Sequence, residues 1–318
     1  MAGKDFRKGL SLIQIANQFN TEEKARKWLE NKRWPKGQIV CPYCGSKEHI
    51  VALKHPTQTH RCKACRRAGK KNQFNVKTNT IMEESNIPCR LWAIGVYLYS
   101  TNIKGISSMK LHRELGITQK SAWFLLHRLR QASHDLISKK FEGEVEVDET
   151  FLGGKRKNMS NSKRAELKDT GRGAVGKTAV AGIKNRDTNQ VKAEVVESVD
   201  KATLLPFMEE YIDEEAKVYT DEALVYNNIP FEHESVKHSL SEYVKDMAHT
   251  NGIESFWSMF KRGYYGTYHW MSKKHVSRYV SEFCYRHNQR NAHTMDQMGY
   301  LVSDMVGKGI KYQELIKN

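Results

Sequence analysis

The stretch GEVEVDET, residues 143–150, decides the fold of the second half of the chain. Val145 and Val147 lie on one face of this stretch. The carboxylates of Glu144, Glu146 and Asp148 lie on the other. This two-residue period is typical of a β-strand with one face turned inward. Glu149 would share the face of the two valines, where an unpaired charge is costly. Asp148 is therefore the preferred candidate for chemistry at this strand.

Later apolar runs extend the same sheet. Three of them are strand-like, namely Lys177–Ile183, Val191–Val196 and Ala216–Tyr219. A helix at about 203–212 precedes the last run. Three strands, a helix and another strand, followed by further helices, predict a mixed α/β sheet.

Three acidic residues of this half form a candidate metal site, Asp148, Asp221 and Glu254. Both aspartates come at predicted strand ends, and Glu254 lies on a predicted helix. Three such carboxylates suit two-metal phosphoryl transfer, because hard Mg²⁺ prefers oxygen ligands and two ions stabilise both the attacking and the leaving oxygen. The alternative is that each acid is an ordinary surface charge.

The helix around Glu254 shows a strong apolar stripe. Its members recur at helical spacing and must face the core, Ile253, Phe256, Trp257 and Phe260. Glu254 then lies at the margin of the stripe. Lys261 follows two turns later on nearly the same face, where it would hold a DNA phosphate.

Two Cys-x-x-Cys pairs, Cys41 with Cys44 and Cys62 with Cys65, are separated by 17 residues. This spacing suits a tetrahedral four-thiolate zinc site, and the segment between the pairs can form a short hairpin. Four thiolates leave no open position for water, so the Zn²⁺ is expected to be structural. Cys89 and Cys284 stand alone in apolar surroundings and are predicted to be core residues.

Other side chains around the zinc ribbon are predicted to lie on the surface. His49, His55 and His60 fall between the pairs and are expected to be surface histidines. A cluster of cations without interspersed acids would contact phosphates, and it comprises Arg61, Lys63, Arg66, Arg67, Lys70 and Lys71.

A second DNA-binding element is predicted around the breaker Gly116-Ile117. One short helix runs from about Ser107 to Leu115, and Thr118 caps another that reaches Arg130. The second helix turns an apolar stripe inward and leaves four polar side chains outside, Gln119, Lys120, Arg128 and Arg130. This arrangement fits a helix-turn-helix whose second helix enters the major groove. Many helix pairs with a glycine turn have no such role.

The charge of the chain favours the DNA interpretation. Its 52 Lys+Arg and 36 Asp+Glu leave a net charge of +16. Residues 1–140 hold 27 of the cations and 9 of the acids, an excess of 18, and the remaining 25 cations and 27 acids nearly balance. A nucleic-acid partner is indicated. The longest apolar run, Leu91–Tyr99, is too short to span a bilayer and no signal peptide is recognisable, so an intracellular protein without a membrane partner is expected.

These patterns predict a multidomain α+β chain. The expected divisions are an N-terminal helical segment at 1–37, with Asn20 capping its helix, a zinc ribbon at 38–80 and a helix-turn-helix domain at 81–140. A catalytic domain at 141–291 and a tail at 292–318 of weak helical character follow.

Several stretches resemble zinc-ribbon insertion-sequence transposases of the DDE type, akin to the Merlin superfamily. They are VEVDETFLGGKRK (145–157), VYTDEA around Asp221, HTNGIESFWSMFKRGYYGTYHWMSKKH (249–275), RWPKGQIVCPYCGS (33–46) and FNVKTNTIM (74–82). The resemblance covers about residues 20–290, and the 249–275 run is its most specific part.

The resemblance implies a ribonuclease-H-like catalytic domain with Asp148, Asp221 and Glu254 as its metal-binding triad, loaded with two Mg²⁺ or Mn²⁺. The choice of Asp221 over its neighbour Glu222 rests on the resemblance alone. Water would attack a phosphodiester at the element end, and the freed 3′ hydroxyl would then attack target DNA.

The implied partners are double-stranded DNA, both the terminal inverted repeats and the target, and a second copy of the chain on paired ends. A bacterial, nucleoid-associated location is expected. Basic residues of the catalytic half would steer the cleaved strand, namely Lys155, Arg156, Lys157, Lys261 and Arg262. Two alternatives stay open, a hydrolytic nuclease of the same fold and a non-enzymatic DNA-binding regulator.

Overall fold

A computed structural model describes residues 9–134, 139–154, 159–166, 176–236 and 250–317. The chain divides into two compact units. The first combines the residues up to Ser133 with those from Gln289 onward, and the second is His134–Asn288. Among the described helices, none has both the length and the apolar character needed to cross a membrane.

The first unit begins with helices α1 (Leu12–Gln18) and α2 (Glu22–Arg33). The predicted cap of α2, Asn20, is wrong by one residue. Thr21 has the extended backbone of a cap, and its hydroxyl accepts a hydrogen bond from the Lys24 amide at 3.3 Å. Only the residue that directly precedes the helix can place its side chain over the first free amides. The helix ends before a 3₁₀ turn at Pro35–Gly37.

The zinc ribbon follows as a small antiparallel sheet in the order β1-β2-β3. Its elements are β1 (Ile50–Ala52), β2 (His60–Cys62), helix α3 (Lys63–Arg67) and β3 (Gln73–Phe74). Strands β1 and β2 form the predicted hairpin between the two cysteine pairs.

Three helices complete this part of the first unit, α4 (Cys89–Thr101), α5 (Ser108–Leu115) and α6 (Gln119–Ala132). Thr118 caps α6 by accepting from the Ser121 amide at 3.1 Å. Gly116 adopts a left-handed conformation at φ 63° and ends α5. Glycine adopts this conformation easily because it has no side chain. The helix boundaries predicted around this glycine are confirmed.

The second unit contains a five-stranded sheet and helices. Its described elements are β4 (Glu144–Leu152), α7 (Asn161–Glu166), β5 (Thr178–Asn185), β6 (Val191–Val196), α8 (Lys201–Tyr211), β7 (Lys217–Asp221), β8 (Glu232–Val236), α9 (Asn251–Gly263) and α10 (Val276–Asn288). The strand order is β6-β5-β4-β7-β8. Strands β6, β5 and β4 pair antiparallel, whereas β7 and β8 join them in parallel. The predicted mixed sheet is thus present.

Strand β8 is missing from the sequence prediction. Its sequence, EHESV, has no apolar alternation, and it lies at the edge of the sheet beside β7 alone. An edge strand in this position needs few apolar side chains, which removes the periodic signal.

Both faces of the sheet are covered. On one face Val145, Val147 and Ile183 pack with α8 residues such as Phe207. On the other face Val180 and Val191 pack with residues of α9 and α10. Glu146 and Asp148, on the second face of β4, therefore lie under a helix layer rather than in open solvent.

The last segment of the chain belongs to the first unit and is helical, with α11 (Thr294–Ser303) and α12 (Tyr312–Ile316). Helix α11 contacts α2, α4 and α6, and its Met298 and Leu301 are fully buried. Tyr312 of α12 packs edge-on against Trp123 and Phe124 of α6. The last segment therefore supplies part of the core of the first unit.

Candidate functional site

The four cysteines of the ribbon converge. The Cys41 and Cys65 sulfurs lie 3.8 Å apart, those of Cys44 and Cys62 lie 3.7 Å apart, and all four fall within 4.8 Å of one another. Cys41, Cys62 and Cys65 are buried, and Cys44 is exposed. Burial raises the pKa of the Cys41 thiol, so a cation is needed to hold the set as thiolates. Four sulfurs in this arrangement fit tetrahedral Zn²⁺.

An aromatic cluster supports the cysteines, and it corrects one prediction. His60 was expected on the surface but is only 7% exposed. Its ring stacks on Phe74 and meets Trp34 edge-on, with both ring centroids 5.6 Å away. Trp34 lies just beyond α2, outside the segment between the cysteines, so local sequence does not reveal this packing. His49 and His55 are exposed as predicted.

The basic side chains beside the cysteines are mostly accessible. Lys63, Arg66 and Arg67 are exposed on or next to α3, as are Lys70 and Lys71, whereas Arg61 on β2 is half-buried. These cations are available to phosphates on the surface of the ribbon.

The predicted outer face of α6 is only partly correct. Gln119 and Lys120 at its first turn are exposed, and Lys120 lies over the Tyr312 ring at 4.5 Å. Arg128 and Arg130 are buried, 8% and 1% exposed, so the prediction that their side chains lie on the outer face is wrong. The last segment of the chain covers this helix end: the Lys308 ammonium donates to the Ala132 carbonyl at 3.3 Å. A pattern within α6 cannot anticipate a cover that comes from residues so distant in the sequence.

In the second unit, strand register brings Asp148 and Asp221 level. Parallel strands β4 and β7 pair Glu144 with Lys217 and Glu146 with Tyr219, a constant offset of 73 residues. The same offset separates Asp221 from Asp148. Residues level on neighbouring parallel strands project from the same face of a sheet. Asp221 is partly buried, whereas its neighbour Glu222 is exposed.

Glu254 approaches these aspartates from α9. It lies in the first turn of the helix, where the Thr250 hydroxyl donates to its carboxylate at 3.1 Å. Burial raises the pKa of Asp148 to about 6, and the charges of Asp221 and Glu254 add to the rise. Three mutually repelling carboxylates of this kind attract a divalent cation. Among the described parts of the chain, only the four cysteines have all their ligand atoms within 4.8 Å, so the three carboxylates are more widely spaced.

Glu149 lies beside this group, on the opposite face of β4. Burial raises its pKa to about 7, although the Tyr226 hydroxyl donates a hydrogen bond to its carboxylate. A charge on this face would be costly without a partner, and Tyr226 supplies that partner. Tyr226 follows Asp221 by five residues, but nothing in its local pattern marks it as a neighbour of the site.

A close contact between β5 and α9 sets the distance between Glu254 and the sheet. Gly182 pairs with Asp148 across β4 and β5. A side chain at Gly182 would overlap the Trp257 indole and approach Ile253 Cδ1 to 3.2 Å. The absence of a Cβ therefore lets α9 pack directly on the strand next to Asp148.

The buried carboxylate of Glu146 holds the start of α9. It is 1% exposed and accepts from the Ile253 amide at 2.7 Å and from Arg186 Nε at 3.0 Å. A Cβ at Gly252 would lie 2.6 Å from its Oε2. Thr250, which precedes the helix, makes no side-chain cap hydrogen bond, and Glu146 satisfies one of the free amides from the sheet. Strand alternation identified the face of Glu146 but not this role.

Five basic residues of the second unit are predicted to steer the cleaved strand, and the structure describes two of them. Lys261 and Arg262 are exposed in the last turn of α9. Lys155, Arg156 and Lys157 lie outside the described residues.

Known protein families match parts of both units. Residues 140–288 match the ISXO2-like transposase domain, and residues 20–68 match the transposase zinc-ribbon domain. An uncharacterized transposase-like protein of Haemophilus influenzae is 32% identical over 97 residues, which are 30% of this chain and 77% of that protein.

Proposed function

This chain belongs to the ISXO2-like transposase family, and on that premise we propose that it cuts DNA at the ends of an insertion sequence and joins those ends to a target. The observation that carries the proposal is that Asp148 and Asp221 keep the 73-residue offset of the paired strands β4 and β7, while the charge of Glu254 on α9 acts on Asp148. The order β6-β5-β4-β7-β8, with two parallel strands joined to three antiparallel ones, supports a ribonuclease-H-like fold for the second unit.

In this proposal Asp148, Asp221 and Glu254 hold two Mg²⁺ or Mn²⁺ ions, which when bound stabilise the attacking and leaving oxygens of the phosphodiester. The donor set fits such ions, because it consists of carboxylate oxygens, and burial together with the charges of Asp221 and Glu254 raises the pKa of Asp148. Glu146 keeps α9 in place so that Glu254 stays near the sheet. Lys261 and Arg262 would contact phosphates of the cleaved strand.

We further propose that the first unit recognises the inverted repeats. The exposed cations of the ribbon, Lys63, Arg66 and Arg67, would neutralise phosphates. Helices α5 and α6 would act as a helix-turn-helix, with Gln119 and Lys120 reaching base edges. The Zn²⁺ would be structural and hold the ribbon together. A dimer on paired ends at the nucleoid completes the proposal.

A strand-transfer assay tests this function. Inverted repeats in the DNA that flanks the gene supply the element ends, which are labelled and incubated with purified protein, Mg²⁺ and a target plasmid. Joined product is expected, and Asp148→Asn, Asp221→Asn and Glu254→Gln should each lower joining by at least about a hundredfold while leaving DNA binding intact. Glu222→Gln is the matched control, since Glu222 is exposed.

The outcomes separate the alternatives. Cleavage without joining would indicate a hydrolytic nuclease, and binding without either reaction would indicate a regulator. A substituted carboxylate that retains near-normal joining would not be a metal ligand.

A further inference from the structure

The segment that follows Glu254 contains no acidic residue from Ser255 to Ser281. Its five cations are Lys261, Arg262, Lys273, Lys274 and Arg278, and its aromatic residues include the run GYYGTYHW at 263–270. A basic segment with interleaved aromatic residues is typical of surfaces that bind single-stranded nucleic acid.

Two of these aromatic side chains are left in solvent. Trp270 is 70% exposed, the highest value for an aromatic residue in the described part of the chain, and Tyr265 is 53% exposed. Their neighbours Tyr264 and Met271 are each 4% exposed and belong to the core of the unit. The exposed Trp270 indole next to these buried neighbours therefore forms an apolar surface that is suited to binding a partner molecule.

The backbone around Trp270 is firmly attached to the unit. The Tyr268 hydroxyl donates to Glu282 at 2.6 Å, and its ring packs against Tyr279 with centroids 4.8 Å apart. The Trp270 amide donates to the Tyr268 carbonyl at 2.6 Å. His269 adopts φ 59°, a conformation that is unfavourable for a residue with a side chain. Trp270 is therefore held outward between two anchored residues.

Four cations flank the two exposed rings in the sequence. Lys261, Arg262, Lys273 and Lys274 are all exposed, and none of them has a carboxylate partner among the residues that the structure describes. Lys261 lies about 10 Å along α9 from Glu254. Lys261 and Arg262 therefore lie within a few nucleotides of Glu254 on the same helix, and the exposed rings follow them in the chain.

We propose that Trp270 and Tyr265 stack on unpaired DNA bases while these four cations bind the adjoining phosphates. An aromatic ring reaches the face of a base only where that base is unpaired or terminal, so the ligand is single-stranded DNA rather than intact duplex. The inference rests on the proposed function in that it assumes a DNA substrate. It assigns to this segment a base contact that the carboxylates cannot make.

Fluorescence anisotropy tests the inference in buffer without divalent cations, where no strand chemistry occurs. The probes are a labelled oligothymidylate and a blunt duplex of the same length. Trp270→Ala and Trp270→Leu should weaken binding of the oligothymidylate about tenfold or more, and binding of the duplex less than about twofold. Trp270→Phe should keep most of the affinity because it keeps a stacking ring.

Tyr300→Ala is the matched control, since Tyr300 is an aromatic residue 51% exposed in the other unit. It should bind both probes like the unsubstituted protein. The inference is overturned if the protein does not bind oligothymidylate, if Trp270→Leu binds it normally, or if both probes lose affinity equally. It is also overturned if the Trp270 variants only lose self-association, because the surface would then be an interface between copies.

The result is distinct from that of the strand-transfer assay. Failure to join DNA combined with Trp270-dependent binding of oligothymidylate would reject the proposed function and support this inference. If a Trp270→Leu variant joins DNA normally and binds oligothymidylate with unchanged affinity, the proposed function is supported and this inference is rejected.

Discussion

At the scale of single residues, Asp148 occupies a position that disfavours its own charge. Burial raises its pKa from 3.8 to about 6, and Asp221 and Glu254 repel it further. A carboxyl group with a raised pKa in the folded state destabilises the fold at pH values above that pKa. The penalty disappears as the pH falls from about 6 toward 3.8, because the folded protein then takes up a proton.

Asp148→Asn should therefore stabilise the protein in metal-free buffer at pH 8, by up to roughly 3 kcal/mol, given about 1.4 kcal/mol per pKa unit. The gain should shrink at pH 5, where Asp148 is largely protonated already. Denaturant unfolding of both proteins at the two pH values measures this difference. An equal loss of stability at both values would contradict the electrostatic explanation.

Addition of Mg²⁺ provides the control for this prediction. The unsubstituted protein should gain stability on binding the ion, and Asp148→Asn should gain much less, because a ligand stabilises only the state that binds it.

The sequence predicts Asp148 and Asp221 as candidate metal ligands, but it does not show that they lie at the same level of the sheet. Alternation placed Asp148 on one face of its strand, and Asp221 was chosen over Glu222 by resemblance alone. The 73-residue register of β4 and β7 brings the two aspartates level. Register depends on contacts between strands that are distant in the chain, so no local pattern contains it.

At the scale of elements, α9 depends on a carboxylate that it does not contain. Glu146 of β4 accepts from the Ile253 amide and from Arg186, and Arg186 also donates to Glu144 at 3.1 Å. The Tyr219 ring lies 3.8 Å beneath the Arg186 guanidinium. This arrangement ties the start of the helix that carries Glu254 to the strand that carries Asp148.

Glu146→Gln should weaken both attachments, since an amide offers a single acceptor oxygen. We expect a loss of about 2–4 kcal/mol of stability from the disturbed buried ion pair. We also expect strand joining to fall about 10–100-fold, as when a residue that orients metal ligands is altered. The Mg²⁺ concentration for half-maximal joining should rise, and titration of the joining rate with Mg²⁺ measures it.

Glu144→Gln is the matched control. Glu144 shares Arg186 and accepts from the Tyr219 hydroxyl, and neither of these partners lies on α9. Its substitution should leave the Mg²⁺ requirement nearly unchanged. A similar shift in both variants would show that Arg186, rather than the attachment of α9, controls the site.

At the scale of the whole molecule, the last residues of the chain complete its first unit. Helix α11 buries Met298, Leu301 and Val302 among residues of the same unit. The sequence predicted only a tail with weak helical character. Short amphipathic helices give a weak periodic signal, and their stability comes from the core that they join.

Leu301→Ala should destabilise the first unit by about 2–5 kcal/mol, because it removes a fully buried side chain and leaves a cavity. Tyr300→Ala, on the exposed side of the same helix, should change stability by less than about 1 kcal/mol. Hydrogen exchange of the α4 amides reports the stability of this unit separately. Unchanged protection of α4 in Leu301→Ala would show that the last segment is dispensable to the unit.

The sequence by itself determined the four zinc ligands, the helix pair around Gly116 and the strands with apolar alternation. These features depend on the spacing of residues within short segments. Steric and hydrogen-bonding rules relate that spacing directly to local structure. Only the tertiary structure decided that Arg128 and Arg130 are buried and that Glu146 caps α9. It also decided that Asp148 stands level with Asp221. Each of these depends on contacts between segments far apart in the chain, and burial and charge pairing are properties of such contacts rather than of local sequence.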